Sequence, residues 1–388
     1  MTSRVLAGSR SRVVADNVLA ALVQLPLVVM RALYALLKRL PQRDKVVLMS
    51  RLHSRTSADF DRLITELRQQ SPDTAVAVLN HRRGNIFAVV PQTLSQMYHL
   101  ATSRSCITDS YMATISVLTH RPDLVVVQVW HALGAIKRFG RAALDSPEGR
   151  PGRFAEAMNM HRGYDWVLAG GPGMVGPFAE SFGVRPEQVL PIGTPRIDIL
   201  CDELVTGRVK HRLCALHPEL GRRPLVLYAP TFRIGRPVEV EPLLDALARH
   251  DLDVALTLHP LDTRDFGGRP GVIHDRAVST QDWLAVADHV ISDYSAIVFD
   301  AAAIGTPLYF YLYDLDDYVQ RRGLFVDVAD LPGPVSRDAG ELATSVATGA
   351  GSRDRVARFR ERYLVVADGG SARRIVELAL GTPPADLS

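Results

Sequence analysis

Two histidines stand where apolar runs end. LVVVQVW (124–130) is followed at once by His131, and VALTL (254–258) by His259. Near neutral pH an imidazole can take a proton from a hydroxyl or donate a hydrogen bond to an oxyanion. Other polar residues share this placement. VLPIG (189–193) leads into Thr194, Pro195 and Arg196, and LVLYA (225–229) into Pro230, Thr231 and Arg233. HVIS (289–292) leads into Asp293, Tyr294 and Ser295, with Asp300 soon after; Lys137 and Arg138 follow His131 across a Gly/Ala turn containing Gly134. Arginine forks and helix-start amides suit phosphate oxygens. The set reads as proton transfer combined with anion binding.

Other chemistries find less support. The chain has no G-x-x-x-x-G-K-[ST] loop, and GGPGMVG (170–176) is only a loose glycine-rich match to a dinucleotide fingerprint. No H-E-x-x-H or dense carboxylate cluster suggests a required metal. Plainer readings accompany several residues. His53, His120, His217 and His250 read as surface or satisfied core histidines. Ser292, Asp293 and Ser295 could cap the next helix. Lys137 and Arg138 could lie on a solvated face. The acidic, aromatic YLYDLDDY (311–318) could bind a base or a sugar, or only cover a cleft.

The elements that must carry these residues alternate. Strand-like runs are KVVLMS (45–50), TAVAVLN (74–80), CITDS (106–110), LVVVQVW (124–130), WVLAG (166–170) and QVLPIG (188–193). A polar, basic connection, roughly 206–223, leads to PLVLYAP (224–230), DVALTLH (253–259), GVIH (271–274), HVISDYS (289–295) and PLYFYLY (307–313). Helical periods lie between them, at 58–70, 241–250 and 280–287, and SARRIVELAL (371–380) closes the series. Continuous apolar strands alternating with helices predict α/β architecture with parallel sheets covered on both faces. Two such series predict two doubly wound domains, with ligand outside the carboxyl ends of the strands, in the cleft between them. The expected divisions are a basic, apolar segment at 1–43, an N-terminal domain at 44–205, a C-terminal domain at 206–370, and a helix and tail at 371–388.

Composition narrows the class. With 388 residues, 47% hydrophobic and 22% charged, the chain has the makeup of a packed two-domain protein. Cys106, Cys201 and Cys214 have no paired spacing, which argues against a disulfide framework and for a reducing compartment. Residues 1–45 carry eight cations against two acids, +6, so a total of +3 leaves about −3 on the rest. That distribution argues against a nucleic-acid binder. In 17–40, Gln24, Pro26 and Arg31 interrupt the apolar run that a spanning helix needs over ~20 residues. A cationic helix lying in the headgroup region of an anionic membrane is expected, with a buried helix as the alternative.

Five ordered blocks carry a resemblance. WHALGAIKRFG (130–140), YAPTFR (228–233), LHP (258–260), ISDYSAIVFDAAAIGTPLYFYLYDLDDY (291–318) and RGLFVDVADLPGP (322–334) resemble the CDP-glycerol glycerophosphotransferases, the teichoic-acid polymerases and primases with their ribitol-phosphate relatives. The resemblance spans roughly 45–375. It implies a GT-B-like pair of Rossmann-type domains and a metal-independent transfer that needs no cofactor. A polyol phosphate, glycerol phosphate first and ribitol phosphate as the alternative, would pass from a CDP-polyol to a lipid-linked (undecaprenyl-type) or polymer hydroxyl. It further implies a peripheral position on the cytoplasmic face of the membrane, with self-association open.

Residue by residue, the resemblance makes His131 the catalytic base and His259 a second essential histidine on the donor phosphates. Arg196, Pro230, Thr231, Arg233, Thr257, Leu258, Ser295, Ala296 and Asp300 become substrate-binding residues, with Gly134 and Lys137 as secondary candidates. The chain departs from the family in reading W-H-A-L-G-A where the glycerol polymerases read W-H-G-T-P, and in carrying Ala296 for the second serine of D-Y-S-S. Two rivals share the fold: a nucleotide-sugar glycosyltransferase and a non-catalytic membrane scaffold.

Overall fold

A computed structural model describes residues 24, 26–52, 54–80 and 86–382. Strands β1 (Arg43–Met49), β2 (Ala75–Leu79), β3 (Ser103–Thr108), β4 (Val125–Gln128), β5 (Trp166–Leu168) and β6 (Val189–Leu190) form one sheet, in the order β2-β1-β3-β4-β5-β6. Strands β7 (Leu225–Tyr228), β8 (Asp253–Leu256), β9 (Val272–Ile273), β10 (His289–Ser292), β11 (Leu308–Tyr311) and β12 (Val335–Ser336) form a second, in the order β12-β11-β10-β7-β8-β9. Every pairing within both sheets is parallel. The apolar runs explain this: strands such as VVLM and LYFY are buried end to end, so helices must cover both faces. The second sheet reverses direction between β7 and β10, the place where such sheets receive ligands.

Most strands are shorter than their apolar runs. The surplus residues at the carboxyl ends, 129–131, 229–231, 257–259 and 293–295, leave the sheets and become the loops of the cleft. Strand β12 has only two residues and gave no periodic signal. The expected polar connection is instead a helix, Glu203–Leu216, capped by Asp202, whose carboxylate accepts the Leu204 and Val205 amides. Only Leu213 of this helix is buried, so it lacks the apolar stripe by which a helix is read.

Two terminal helices brace the first sheet. Ser371–Ala379 packs Ile375, Val376 and Ala379 with Phe60, Leu63 and Leu67 of the helix Ala58–Gln70. Asp198 accepts its first two amides, from Ser371 and Ala372. At the other end, the helix 26–37 buries Leu27 and Tyr34 in the core. The Tyr34 hydroxyl lies 2.8 Å from His120 Nδ1, and Arg31 and Lys38 donate to the carbonyls of Val117 and Thr119. Two cations expected to meet lipid headgroups thus tie the helix to the protein. Its opposite face exposes Val28, Val29, Leu33 and Leu36. Residues 1–23 lie outside the described residues, and no described helix is long and apolar enough to cross a membrane.

Backbone contacts join the two sheets' halves on either side of the His131 loop. Phe325 N–H donates to Ile136 O (2.7 Å), Arg138 N–H to Gly323 O (3.1 Å), and Lys137 pairs with Leu324 in an antiparallel bridge. Nearby, Val365 N–H donates to Gly170 O (2.7 Å). A Cβ at Gly171 would strike the backbone of Tyr363 and Leu364. The GGPG segment therefore serves close chain approach.

Candidate active site

A cavity of about 660 Å³ opens between the halves. Its wall carries His131, Gly134, Lys137, Arg196, Pro230, Thr231, Thr257, Leu258, His259, Ser295, Ala296 and Asp300. Of the expected catalytic and substrate-binding residues and the secondary candidates Gly134 and Lys137, Arg233 alone is missing from that wall.

His131 is aimed by a strained turn. Trp130 adopts φ +56°, a left-handed conformation costing roughly 1–2 kcal/mol for a non-glycine residue. Its N–H donates to Gln128 Oε1 (2.9 Å), and the fully buried Gln128 donates in turn to Ser110 O. The Trp130 ring stacks on Phe139 and lies against the His131 imidazole, centroids 4.0 Å apart. His131 Nδ1 lies 3.3 Å from the Asp109 carbonyl oxygen. A carbonyl only accepts, so this contact places the proton on Nδ1 and the lone pair on Nε2.

His259 has the opposite arrangement. Its Nδ1 accepts the Leu261 amide at 3.2 Å, so its neutral ring carries the proton on Nε2. Burial, with Lys137 adding to it, lowers its pKa below the usual imidazole value and favours that neutral form. One imidazole is thus set to accept a proton and the other to donate a hydrogen bond, across one cavity.

Charge in the cavity is divided unevenly. Arg196 donates to His131 O (2.5 Å) and Asp59 (2.9 Å) and lies 3.7 Å from Asp300. Burial opposes its charge, but Asp59 and Asp300 outweigh it and hold the guanidinium protonated. Arg196 therefore props the His131 loop as well as facing the cavity. Asp300 is buried and pushed up to about 6 by that burial, against the pull of Arg196. Lys137 is held down to about 8, first by burial and then by Arg322. Among the described residues its ammonium makes no hydrogen bond or ion pair, which leaves it as a cation for a ligand. Arg138, beside it, is spent outside the cavity on Glu180 (2.5 Å).

Arg233 is fully buried. It donates to Asp314 through Nε (2.8 Å), to Asp293 through Nη2 (3.0 Å) and to Thr231 O through Nη1 (2.5 Å). Asp293 also accepts the Thr231 and Tyr294 amides. Burial opposes the Arg233 charge, and Asp293 and Asp314 override it. Arg233, expected to touch substrate, is absent from the cavity wall, and its side chain locks the β7 and β10 loops together. Asp314 and Tyr318 of the YLYDLDDY segment complete this lock, with Tyr318 stacked on Tyr294 at 3.7 Å.

A family model described as CDP-Glycerol:Poly(glycerophosphate) glycerophosphotransferase matches residues 32–381. The chain belongs to this family. It is 30% identical over 353 residues to a teichoic acid ribitol-phosphate primase of Bacillus spizizenii, covering 87% of this chain and 90% of that one. It is 29% identical over 293 residues to a teichoic acid glycerol-phosphate primase of Bacillus subtilis, covering 73% and 75%. Among solved structures, a variant of the wall teichoic acid polymerase TagF soaked with CDPG superposes with a TM-score of 0.75 at 18% identity, over 95% and 98% of the two chains. The fold is therefore that of TagF and its GT-B-like neighbours, and the protein is a CDP-polyol phosphotransferase of the teichoic-acid type.

Within this member of the family the quoted blocks do different work. WHALGAIKRFG and RGLFVD meet as backbone partners at 136–138 and 323–325. Gly134 lines the cavity, yet a Cβ there would run into the ring of Phe299, so its size is set by packing between the halves. Ser292 caps nothing; its hydroxyl donates to Ala229 O, while Ser295 Oγ accepts the Ile297 amide. His120 is a satisfied structural histidine, between Tyr34 and Ile115 O, and His53 lies outside the described residues. Sequence reasoning passed over Gln128, Glu148, Gln281 and Arg322. Gln128 had a readable signal, as the one polar residue in a buried apolar run; the others come from a loop, a helix start and a helix end that only the fold gathers.

Proposed function

We propose that this cavity transfers glycerol phosphate or ribitol phosphate from its CDP ester to a hydroxyl of a lipid-linked or polymer acceptor. The paired tautomers of His131 and His259 carry this reading. The acceptor hydroxyl gives its proton to His131 Nε2 and attacks the β-phosphorus. A new P–O bond forms, the bridging P–O bond breaks, and CMP leaves with the bonding pair. His259 Nε2–H donates a hydrogen bond to the phosphoryl oxygens, and Lys137 and Arg322 supply positive charge to them. Phosphoryl transfer depends mainly on positioning and electrostatics. We propose on that basis that no metal or cofactor is needed, which predicts an unchanged rate in EDTA.

Similarity to a ribitol-phosphate primase over 90% of its length supports ribitol as the polyol, and similarity to a glycerol-phosphate primase over 75% supports glycerol. Incubation with CDP-glycerol and CDP-ribitol separately, with an undecaprenyl-type acceptor, decides through CMP release and product mass. A glycoside product would establish the glycosyltransferase rival, and no CMP from either donor would establish the scaffold.

We also propose peripheral attachment to the cytoplasmic face of the membrane through the outer face of the helix 26–37. Its exposed Val28, Val29, Leu33 and Leu36 support this, as do the exposed Val89, Val90 and Leu94 of the helix Ile86–Thr102. Val29→Asp with Leu33→Asp should release the protein from anionic liposomes with its melting temperature kept; unchanged binding rules this face out.

A further inference from the structure

Beyond the Trp130 ring lies a second recess of about 200 Å³. Arg51, Tyr111, Arg150, His161 and Arg322 stand on its wall, and it shares Trp130, Gly140, Glu148 and Arg322 with the central cavity. At that size it falls below the ~300–1,000 Å³ of sites for drug-sized ligands and suits a phosphate or diphosphate group.

Its charge is almost wholly positive. Arg51 and Arg150 are exposed, and among the described residues neither guanidinium pairs with a carboxylate. Both face the same place: each lowers the pKa of Tyr111 against the larger effect of burial, and each adds to the burial that lowers His161. Arg51 also lies over the Tyr111 ring, 5.8 Å from its centroid. The one acid on the wall, Glu148, is turned toward Arg322, 3.9 Å away, and its side chain is only 6% exposed. Arg322 donates to the carbonyls of Arg138 and Glu148 as well, which fixes it on the border of both spaces.

Such a cluster matches an anion with several oxygens, because guanidinium forks bind phosphate in pairs of hydrogen bonds. The recess lies on the first half's side of His131, away from the His259 and Ser295 loops of the second half. We propose that it is a second anion subsite, taking a phosphate or diphosphate group of the acceptor. An acceptor anchored there would present a hydroxyl a few bonds away, past the Trp130 ring, to His131. The assignment to the acceptor rests on the transfer reading above; the anion site itself does not.

The test uses the full chain, with CDP present to fill the donor site and inorganic pyrophosphate as the titrant in a calorimeter. Wild type should bind one pyrophosphate that CDP does not displace. R51Q/R150Q should weaken that binding at least 10-fold while its melting temperature and CDP affinity stay within error. R353Q/R358Q, the same charge change on exposed residues of a remote helix, should leave it unchanged. Absence of CDP-insensitive pyrophosphate binding overturns the subsite, as does equal affinity in wild type and R51Q/R150Q, or equal loss in both double variants. If the titration succeeds but neither CDP-polyol releases CMP, the subsite stands and the transfer reading falls. With an active enzyme, R51Q/R150Q should raise KM for a phosphate-bearing acceptor at unchanged donor KM; a raised donor KM instead overturns the assignment to the acceptor.

Discussion

The two strand ends that meet at the cavity are built in contrasting ways. On the first half, His131 is held by uncharged groups: a left-handed Trp130 backbone, the buried Gln128 side-chain amide and the carbonyl of Asp109. On the second half, the loops after β7 and β10 are held by buried charge, with Arg233 between Asp293 and Asp314. The proposed transfer would account for the difference. A base has to keep one lone pair facing the cavity, and the Asp109 carbonyl at Nδ1 leaves that lone pair on Nε2. Loops that receive a phosphate must keep their shape when a large negative charge arrives, and paired buried charges resist that change.

The contrast can be broken at either end. His131→Ala should lower kcat for CMP release by at least the ~10²–10⁴-fold typical of general-base loss, with the melting temperature kept. Retained turnover would remove His131 from its role. Arg233→Met should act on stability instead. It leaves the buried Asp293 without its guanidinium partner while Asp314 keeps Arg236, and losing one partner of a buried pair costs about 3–5 kcal/mol, read as a lower urea midpoint. A variant as stable as wild type would mean that the Asp293 lock carries no weight.

Gly134→Ala should cost about 1–3 kcal/mol by driving a methyl into the Phe299 ring, and Phe299→Leu should restore part of it. Full additivity of the two changes would separate the residues. The smallest effect concerns pH. Lys137 is charged below about 8 and loses its charge as pH rises through that value, well before an ordinary lysine near 10.5. Donor kcat/KM should therefore fall several-fold between pH 7 and 9. Lys137→Arg, which stays charged, should flatten that limb; an identical profile would remove Lys137 from donor binding.

Both strand ends were legible before the fold was known, because apolar runs closed by polar residues mark where parallel sheets meet solvent. His131, His259 and Arg196 were found on that signal, and all three line the cavity. Arg233 shows its limit. It stands at the same kind of position as Arg196, but the direction of its side chain depends on Asp314, some eighty residues away and on a different loop. The helix 26–37 shows another. Its sequence reads as apolar and cationic, and only packing shows that Tyr34, Arg31 and Lys38 face the protein while Val28, Val29, Leu33 and Leu36 face outward.

The chain's own pattern determined the two parallel sheets, the strand ends that bear chemistry and the family's blocks, since periodicity and burial are local properties of a sequence. The tertiary structure decided what pairs with what. It assigned opposite tautomers to the two histidines, took Arg233 and Arg138 out of the cavity, left Lys137 in it, and gathered Arg51, Arg150 and Arg322 from distant parts of the chain. Hydrogen bonds and charges act through space over a few ångströms, and apart from the Leu261 amide on His259 the residues that set them here lie tens to hundreds of positions apart in the chain.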